Sequence, residues 1–154
     1  MKSFNREEQE LINSAFTIAR DAHRDQKDKA GAPYIYHPAR VSHSRWCVGI
    51  EEVVVALLHD VIEDTCTTSE HLIRYGIPEH IVSIVECLTR RPNESYADFI
   101  ERCCTNPIAA RVKLADLEDN LDVTRFKEIN ENDLFRLNRY LRARERIMKY
   151  LFGH

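Results

Sequence analysis

The chain has 154 residues, of which 44% are hydrophobic and 31% are charged, a balance too apolar for a disordered chain and ordinary for a globular domain. Its formal net charge of −3 argues against a protein whose main role is to coat nucleic acid or an acidic membrane. With only four glycines and five prolines, the composition favours helices over many short strands.

Hydrophobic residues recur at helical spacing along the chain and predict a series of helices. The first runs from about Arg6 to Asp25, and the second begins at Pro38, which suits the first turn of a helix, and stops near Gly49. A third helix is predicted as one continuous segment from Glu51 to Glu63. Later helices are predicted over Glu70–Tyr75, Pro78–Leu88, Tyr96–Cys104, Pro107–Leu121 and Asn132–Phe152. Because no repeat or linker interrupts this pattern, we predict a single all-α domain over residues 1–154, a helical bundle.

The cysteines and the N-terminal segment bear on the cellular compartment. Five cysteines, an odd number without any C-x-x-C pair, fit small hydrophobic residues in a reducing environment. The first residues, MKSFNREEQE, lack the apolar stretch of a signal peptide, and no apolar run approaches the length of a membrane span. We therefore expect a cytoplasmic protein without a membrane or nucleic-acid partner.

The stretch ALLHDVIEDT, residues 56–65, places an imidazole and three carboxylates on what resembles a buried helix. Residues four apart share a helix face, which pairs His59 with Glu63 and Asp60 with Asp64. Carboxylates so close to a core are strongly destabilising unless a positive group compensates them, and no Lys or Arg lies between positions 45 and 74. A divalent metal ion would provide that compensation, because imidazole and carboxylate are its natural ligands.

Two further residues extend this set along the chain, namely His37 in PYIYHP and Asp116 in VKLADLEDN. The ordered set His37, His59–Asp60 and Asp116 resembles the ligand pattern of the HD phosphohydrolase superfamily. The segments AHRDQKDKAGAPYIYHPARV, ALLHDVIEDT and VKLADLEDNLD resemble the three signature segments of the hydrolase domain in RelA/SpoT-type alarmone enzymes. This resemblance extends from about Ala15 to Val123, and small stand-alone members of that family are similar in length.

The resemblance implies an all-α HD bundle and assigns roles residue by residue. It implies a metal ion, manganese(II) in that family, bound by His37, His59, Asp60 and Asp116. It implies that Glu63 and Asp64 position and deprotonate the attacking water. It also implies a nucleotide substrate, contacted by Lys29, Tyr34 and Asn120. The reaction implied is release of pyrophosphate from the 3′ position of guanosine tetra- or pentaphosphate, which leaves GDP or GTP.

The chain also departs from that family. Asp28 stands where the family usually has an arginine that packs on guanine, and Leu117–Asp119 replaces an arginine-leucine-histidine sequence. Val123 replaces a threonine, and the extra carboxylates Glu118, Asp119 and Asp122 are expected to be unfavourable near a polyphosphate. Two alternatives therefore stay open. One is an HD phosphohydrolase that acts on a different nucleotide or phosphoester, and the other is a non-catalytic regulatory protein that binds metal or nucleotide.

The predicted C-terminal helix, residues 132–152, is basic and amphipathic. Its apolar stripe comprises Leu134, Leu137, Leu141, Met148 and Leu151, and its basic stripe comprises Arg136, Arg139, Arg142, Arg146 and Lys149. The basic stripe is either a solvated face or a surface that attracts an anionic substrate or an acidic partner chain. A homo-oligomer is compatible with either interpretation.

Overall fold

The structure, a computed structural model, describes residues 2–153. Within this range the regular secondary structure is helical, apart from an isolated bridge between Lys27 and Pro33. The helices are α1 Arg6–Ala22, α2 Tyr36–Ser42, α3 Ile50–Leu58, α4 Val61–Asp64, α5 Ser69–Arg74, α6 Glu79–Cys87, α7 Tyr96–Cys103, α8 Pro107–Leu121 and α9 Glu131–Phe152, with a 3₁₀ turn at Val123–Arg125. The predicted all-α fold class is confirmed.

Several helices are preceded by a polar residue whose side chain caps the first turn. These capping residues explain why the predicted starting points lie close to the observed ones. Side chains accept hydrogen bonds from first-turn N–H groups at Asn5, Thr68, Ser95, Asn106 and Asn130. Such acceptors satisfy N–H groups that have no partner within the helix. At the other end of α9, Gly153 adopts a left-handed φ of 72°, a conformation that glycine reaches without strain.

The predicted continuous helix from Glu51 to Glu63 is wrong. The regular helix ends at Leu58, His59 and Asp60 form a turn whose φ/ψ angles stay in the right-handed helical region, and the chain resumes as the short helix α4. This turn directs both polar side chains toward one cluster, an arrangement described below. The N–H of Asp64 donates to the carbonyl of Asp60 at 2.9 Å, so Asp60 is the residue from which α4 begins.

The first two helices also differ from their predicted limits. Helix α1 ends at Ala22, three residues early, and α2 begins at Tyr36 and ends at Ser42 instead of running to Gly49. Pro38 therefore sits in the third position of α2, where its missing N–H still costs no hydrogen bond. Trp46 lies beyond the helix, and its indole N–H donates to Glu118 at 2.8 Å.

Helix α3 is the centre of the bundle and is buried on nearly every side. Residues Val53–Leu58 are all buried, and the helix contacts α1, α2, α6 and α8. A helix that is apolar all round needs neighbours on every face, so these contacts fix its position. Helix α9 packs mainly along α8. No helix in the described range is long and apolar enough to cross a membrane.

We expect the core and the exposed apolar stripe to differ sharply in their effect on stability. Leu72 on α5 is fully buried, whereas Leu141 on α9 is 53% exposed. Truncating a buried leucine removes apolar contacts and leaves a cavity, so Leu72→Ala should lower the free energy of unfolding by about 2–5 kcal/mol. Leu141→Ala is the matched control and should change it by less than about 0.5 kcal/mol. Urea denaturation of both variants at 25 °C tests this, and equal losses would contradict the assigned packing.

Candidate metal centre

Two imidazoles and two carboxylates meet where α2, the turn between α3 and α4, and α8 come together. His37 comes from the first turn of α2, His59 and Asp60 from the turn, and Asp116 from the middle of α8. His37, His59 and Asp116 are buried, and the side chain of Asp60 is 17% exposed. The structure thus brings together all four residues that the sequence singled out as metal ligands.

The distances within this cluster suit a metal ion. The Nε2 atom of His37 lies 3.1 Å from Oδ1 of Asp116 and 3.5 Å from Oδ2 of Asp60. The Nε2 atom of His59 lies 3.5 Å from Oδ1 of Asp116 and 3.0 Å from Oδ2 of Asp60. Ligand atoms held about 2.0–2.2 Å from a metal lie roughly this far apart. One atom from each of His37, His59 and Asp60 lies within 4.8 Å of the others. The donor set therefore fits a divalent cation.

Both histidines are oriented by hydrogen bonds on their other ring nitrogen. The Nδ1–H of His59 donates to the carbonyl of Ala56 at 2.6 Å, and that of His37 donates to Asp119 at 2.7 Å. A carbonyl or an ionised carboxylate can only accept, so Nδ1 must carry the proton in both rings. The Nε2 atoms consequently face the cluster, as ligand nitrogens must.

The two carboxylates are likewise held by neighbouring donors. The hydroxyl of Tyr34 donates to Oδ2 of Asp60 at 2.5 Å. Asp116 accepts from Nδ2 of Asn120 at 2.7 Å and from Nζ of Lys113 at 2.7 Å. The sequence analysis did not identify Lys113 as a compensating cation, because it considered only the lysines and arginines close to Asp60 in the chain. Its position three residues before Asp116 on one helix is the signal that could have found it.

The charges of the cluster compensate one another. Burial alone would lower the pKa of both histidines, but the surrounding carboxylates outweigh it and raise the pKa of His37 well above its usual value and that of His59 to about 10. Burial alone would raise the pKa of Asp60 and Asp116, yet the imidazoles, and Lys113 in the case of Asp116, hold both well below the ordinary range. In the metal-free protein the histidines thus carry the positive charge that a metal ion would replace.

Glu63 and Asp64, the predicted water-handling pair, are both exposed residues at the end of α4. Loss of hydration, followed by repulsion from Asp60 and Glu63, raises the pKa of Asp64 to about 6. The carboxylate of Glu63 is exposed and accepts the backbone N–H of Arg90 at 2.6 Å, which ties α4 to the loop after α6. A carboxyl with a pKa near neutrality is suited to general-base chemistry, so Asp64 is the better placed of the two.

A pocket of about 180 Å³ adjoins the cluster and is rich in cations. It includes the predicted substrate-binding residues Lys29, Tyr34 and Asn120. It also includes residues that the sequence analysis did not assign to the site, namely Lys27, Arg40, Arg125, Phe126 and Tyr140, as well as Arg136 from the basic helix. A larger cleft of about 700 Å³ between α1 and the Cys66–Thr67 segment contains no Lys or Arg, so the smaller pocket is the one suited to an anion.

The extra carboxylates at the end of α8 are paired within the fold. Each one is paired with an arginine: Glu118 with Arg144 at 3.0 Å, Asp119 with Arg40 at 2.7 Å and Asp122 with Arg125 at 3.1 Å. The sequence analysis treated them as unpaired charges because these partners lie on other helices or beyond the end of α8. Their negative charge is therefore largely neutralised within the fold.

Comparison with known proteins places the chain in a family. Residues 15–102 match the family model described as HD domain. A guanosine-3′,5′-bis(diphosphate) 3′-pyrophosphohydrolase of Aquifex aeolicus is 35% identical over 123 residues, which are 73% of this chain and 17% of the relative. A GTP pyrophosphokinase rsh of Brucella melitensis is 39% identical over 82 residues, which are 52% of this chain and 11% of the relative. The chain therefore belongs to the HD domain family.

The curated relatives are much longer proteins, and the chain spans less than a fifth of their length. A solved structure, described as a metazoan ortholog of SpoT that hydrolyzes ppGpp and plays a role in starvation responses, aligns with a TM-score of 0.73. That alignment covers 99% of this chain and 89% of the other at 24% identity, and it establishes a common fold.

The protonated cluster predicts an unusual pH response of the metal-free protein. Because the folded-state pKa values of His37 and His59 lie above the unfolded value near 6.5, their contribution to stability is complete below pH 6.5 and is lost as pH rises toward about 10. We expect the Tm in EDTA to fall by about 4 °C or more between pH 6.5 and 8.5. A divalent cation bound at the cluster would displace these protons, so the Tm increase that it produces should grow over the same interval.

Differential scanning fluorimetry with EDTA or manganese measures both trends. The control is His80→Gln, because His80 is 62% exposed and pairs only with Glu51 at the surface. This variant should keep the pH response of the parent protein. A metal-free Tm that is flat or rises across the interval would show that the cluster histidines are neutral when folded.

Proposed function

We propose that the protein is a manganese-dependent 3′-pyrophosphohydrolase that releases pyrophosphate from guanosine tetra- or pentaphosphate in the cytoplasm. The observation that carries this proposal is the buried cluster of His37, His59, Asp60 and Asp116 beside a cation-rich pocket. Membership of the HD domain family and similarity to the 3′-pyrophosphohydrolase of Aquifex aeolicus support it. A basic pocket next to a site suited to a divalent cation is what a polyphosphorylated substrate requires.

The four cluster residues are proposed to hold the metal through the Nε2 atoms of the histidines and the carboxylate oxygens. When bound, the metal neutralises phosphoryl charge and lowers the pKa of water. Tyr34 fixes the carboxylate of Asp60, while Lys113 and Asn120 fix that of Asp116. These donors keep both carboxylates aligned without substrate, so little reorganisation is needed when the metal binds.

Asp64 is proposed to be the general base. Its raised pKa of about 6 leaves it ionised near neutral pH and still basic enough to accept a proton from water. Glu63 has a supporting role in this scheme, because its contact with the N–H of Arg90 anchors the segment that follows α6. The sequence analysis assigned both carboxylates to the water, and this proposal divides the work between them.

The pocket is proposed to bind the phosphates and the nucleoside. Lys29 and Arg136 both pair with the buried carboxylate of Asp133, which places two cations from distant parts of the chain side by side. Arg125 is held nearby through Asp119 and Asp122. The aromatic rings of Phe126 and Tyr140 line the same space and offer surfaces for a base.

A different nucleotide or phosphoester is the second candidate substrate, and Asp28 is the observation that favours it. The carboxylate of Asp28 accepts the backbone N–H of Ala32 at 2.9 Å and closes the turn before α2. It therefore offers no equivalent of the arginine that packs on guanine in the family that the sequence resembles. The metal chemistry is the same for both substrates, so only product analysis distinguishes them.

Substitution of the two acidic residues should separate catalysis from metal binding. Asp64→Asn should lower kcat about 100- to 10,000-fold because the base is lost, while bound manganese is retained. Asp60→Asn should lose both, because a proposed ligand is removed. Metal content by atomic absorption and turnover by pyrophosphate release measure the two effects. If Asp64→Asn keeps the kcat of the parent protein, another group removes the proton.

Product analysis tests the proposed function itself. Purified protein with manganese is incubated with guanosine tetraphosphate and, separately, with a panel of nucleoside mono-, di- and triphosphates. We expect GDP and pyrophosphate from the first substrate, with no release in excess EDTA or with Asp60→Asn. Cleavage of a panel member alone would replace the substrate and keep the chemistry, whereas no cleavage by the manganese-loaded protein would favour a non-catalytic role.

A further inference from the structure

Asp119 lies on α8, three residues after Asp116, so the two carboxylates project from the same side of the helix. Its side chain is only 11% exposed. Oδ2 accepts the Nδ1–H of His37 at 2.7 Å and Oδ1 accepts the Nε–H of Arg40 at 2.7 Å, with a second bond from Arg40 Nη2 to Oδ2 at 3.1 Å. Arg125 reaches Oδ2 at 3.4 Å. Asp119 therefore links α2 to the helix that carries Asp116.

The contact between Asp119 and His37 determines which ring nitrogen of His37 points toward the cluster. With Nδ1–H directed at Asp119, Nε2 lies 3.1 Å from Asp116 and 3.5 Å from Asp60. For His59 the backbone carbonyl of Ala56 has the same orienting effect. His37 has no such backbone acceptor, and its orientation depends on a side chain from another helix.

Arg40 makes the arrangement rigid. It follows His37 by three residues on α2, so both donors approach Asp119 from one helix face. A guanidinium that donates two hydrogen bonds to one carboxylate fixes its rotation, which a lone imidazole does not.

We infer that Asp119 is a positioning residue that sets the affinity of the centre for a divalent cation, by holding His37 with Nε2 toward the cluster. This inference rests on the proposed metal centre and adds a residue that does not itself contact the metal. The negative charge also matters, because Asp119 offsets the guanidinium of Arg40 close to a site that must accept a cation. Orientation and charge therefore act in the same direction, and loss of the carboxylate weakens metal binding on both counts.

The test is the dissociation constant of manganese, measured by isothermal titration calorimetry at 25 °C on the full chain. Asp119→Asn keeps the size of the side chain but cannot accept on both polar atoms, and we expect its Kd to rise about 10- to 100-fold. The matched control is Glu118→Gln. Glu118 is the neighbouring carboxylate on α8, but it accepts from Trp46 and Arg144 on the other side, so its variant should bind manganese as the parent does.

The Tm of each metal-free variant, measured in parallel, separates positioning from simple structural support. A residue with only a structural role would lower this Tm and leave the Kd at 25 °C unchanged, and that result would overturn the inference. If Asp119→Asn does not fold, Asp119→Ala, which removes both acceptor oxygens, is measured in the same way, with the same expected weakening. Absence of manganese binding by the parent protein would instead overturn the proposed metal centre and this inference with it, so the two failures are distinguishable.

Discussion

The structure depends on one electrostatic constraint: carboxylates buried against an apolar helix must be neutralised where they lie. Asp60 and Asp116 approach the end of α3, whose residues are almost completely buried, and water cannot solvate them fully there. Without a metal the compensating charge comes from His37, His59 and Lys113. A divalent cation bound by the same side chains would supply the positive charge that the two histidine protons supply without it.

The turn between α3 and α4 contributes two adjacent members of this cluster, His59 and Asp60. The turn brings both side chains onto a single cluster, with Nε2 of His59 3.0 Å from Asp60. The buried valines and leucines of α3 pack in the core immediately before this turn. A buried apolar helix therefore supports a polar site at its end.

The sequence predicted the fold class, the helix order and the four cluster residues, because helical periodicity and short motifs are local signals. It failed where the deciding contact is distant. His59 meets Asp116, more than fifty residues away, and Arg40 and Arg125 both pair with Asp119 from outside α8. Lys113 is the instructive case, since its pairing with Asp116 is local and readable from helical spacing. Pairing across helices, by contrast, has no signature in one sequence.

The arginines in the basic stripe of α9 have different roles, which the amino-acid composition of the helix does not reveal. The sequence left open whether its arginines are solvated or attract an anion, and the structure gives different answers for individual residues. Arg136 lines the pocket, whereas Arg146 pairs with Glu101 and Arg139 stacks on Tyr96 at 4.4 Å. Asp133 begins the same helix and joins Arg136 to Lys29, from the loop before α2. One part of α9, around Arg136 and Tyr140, thus lines the pocket. The remaining cations of the helix mainly contact other parts of the bundle.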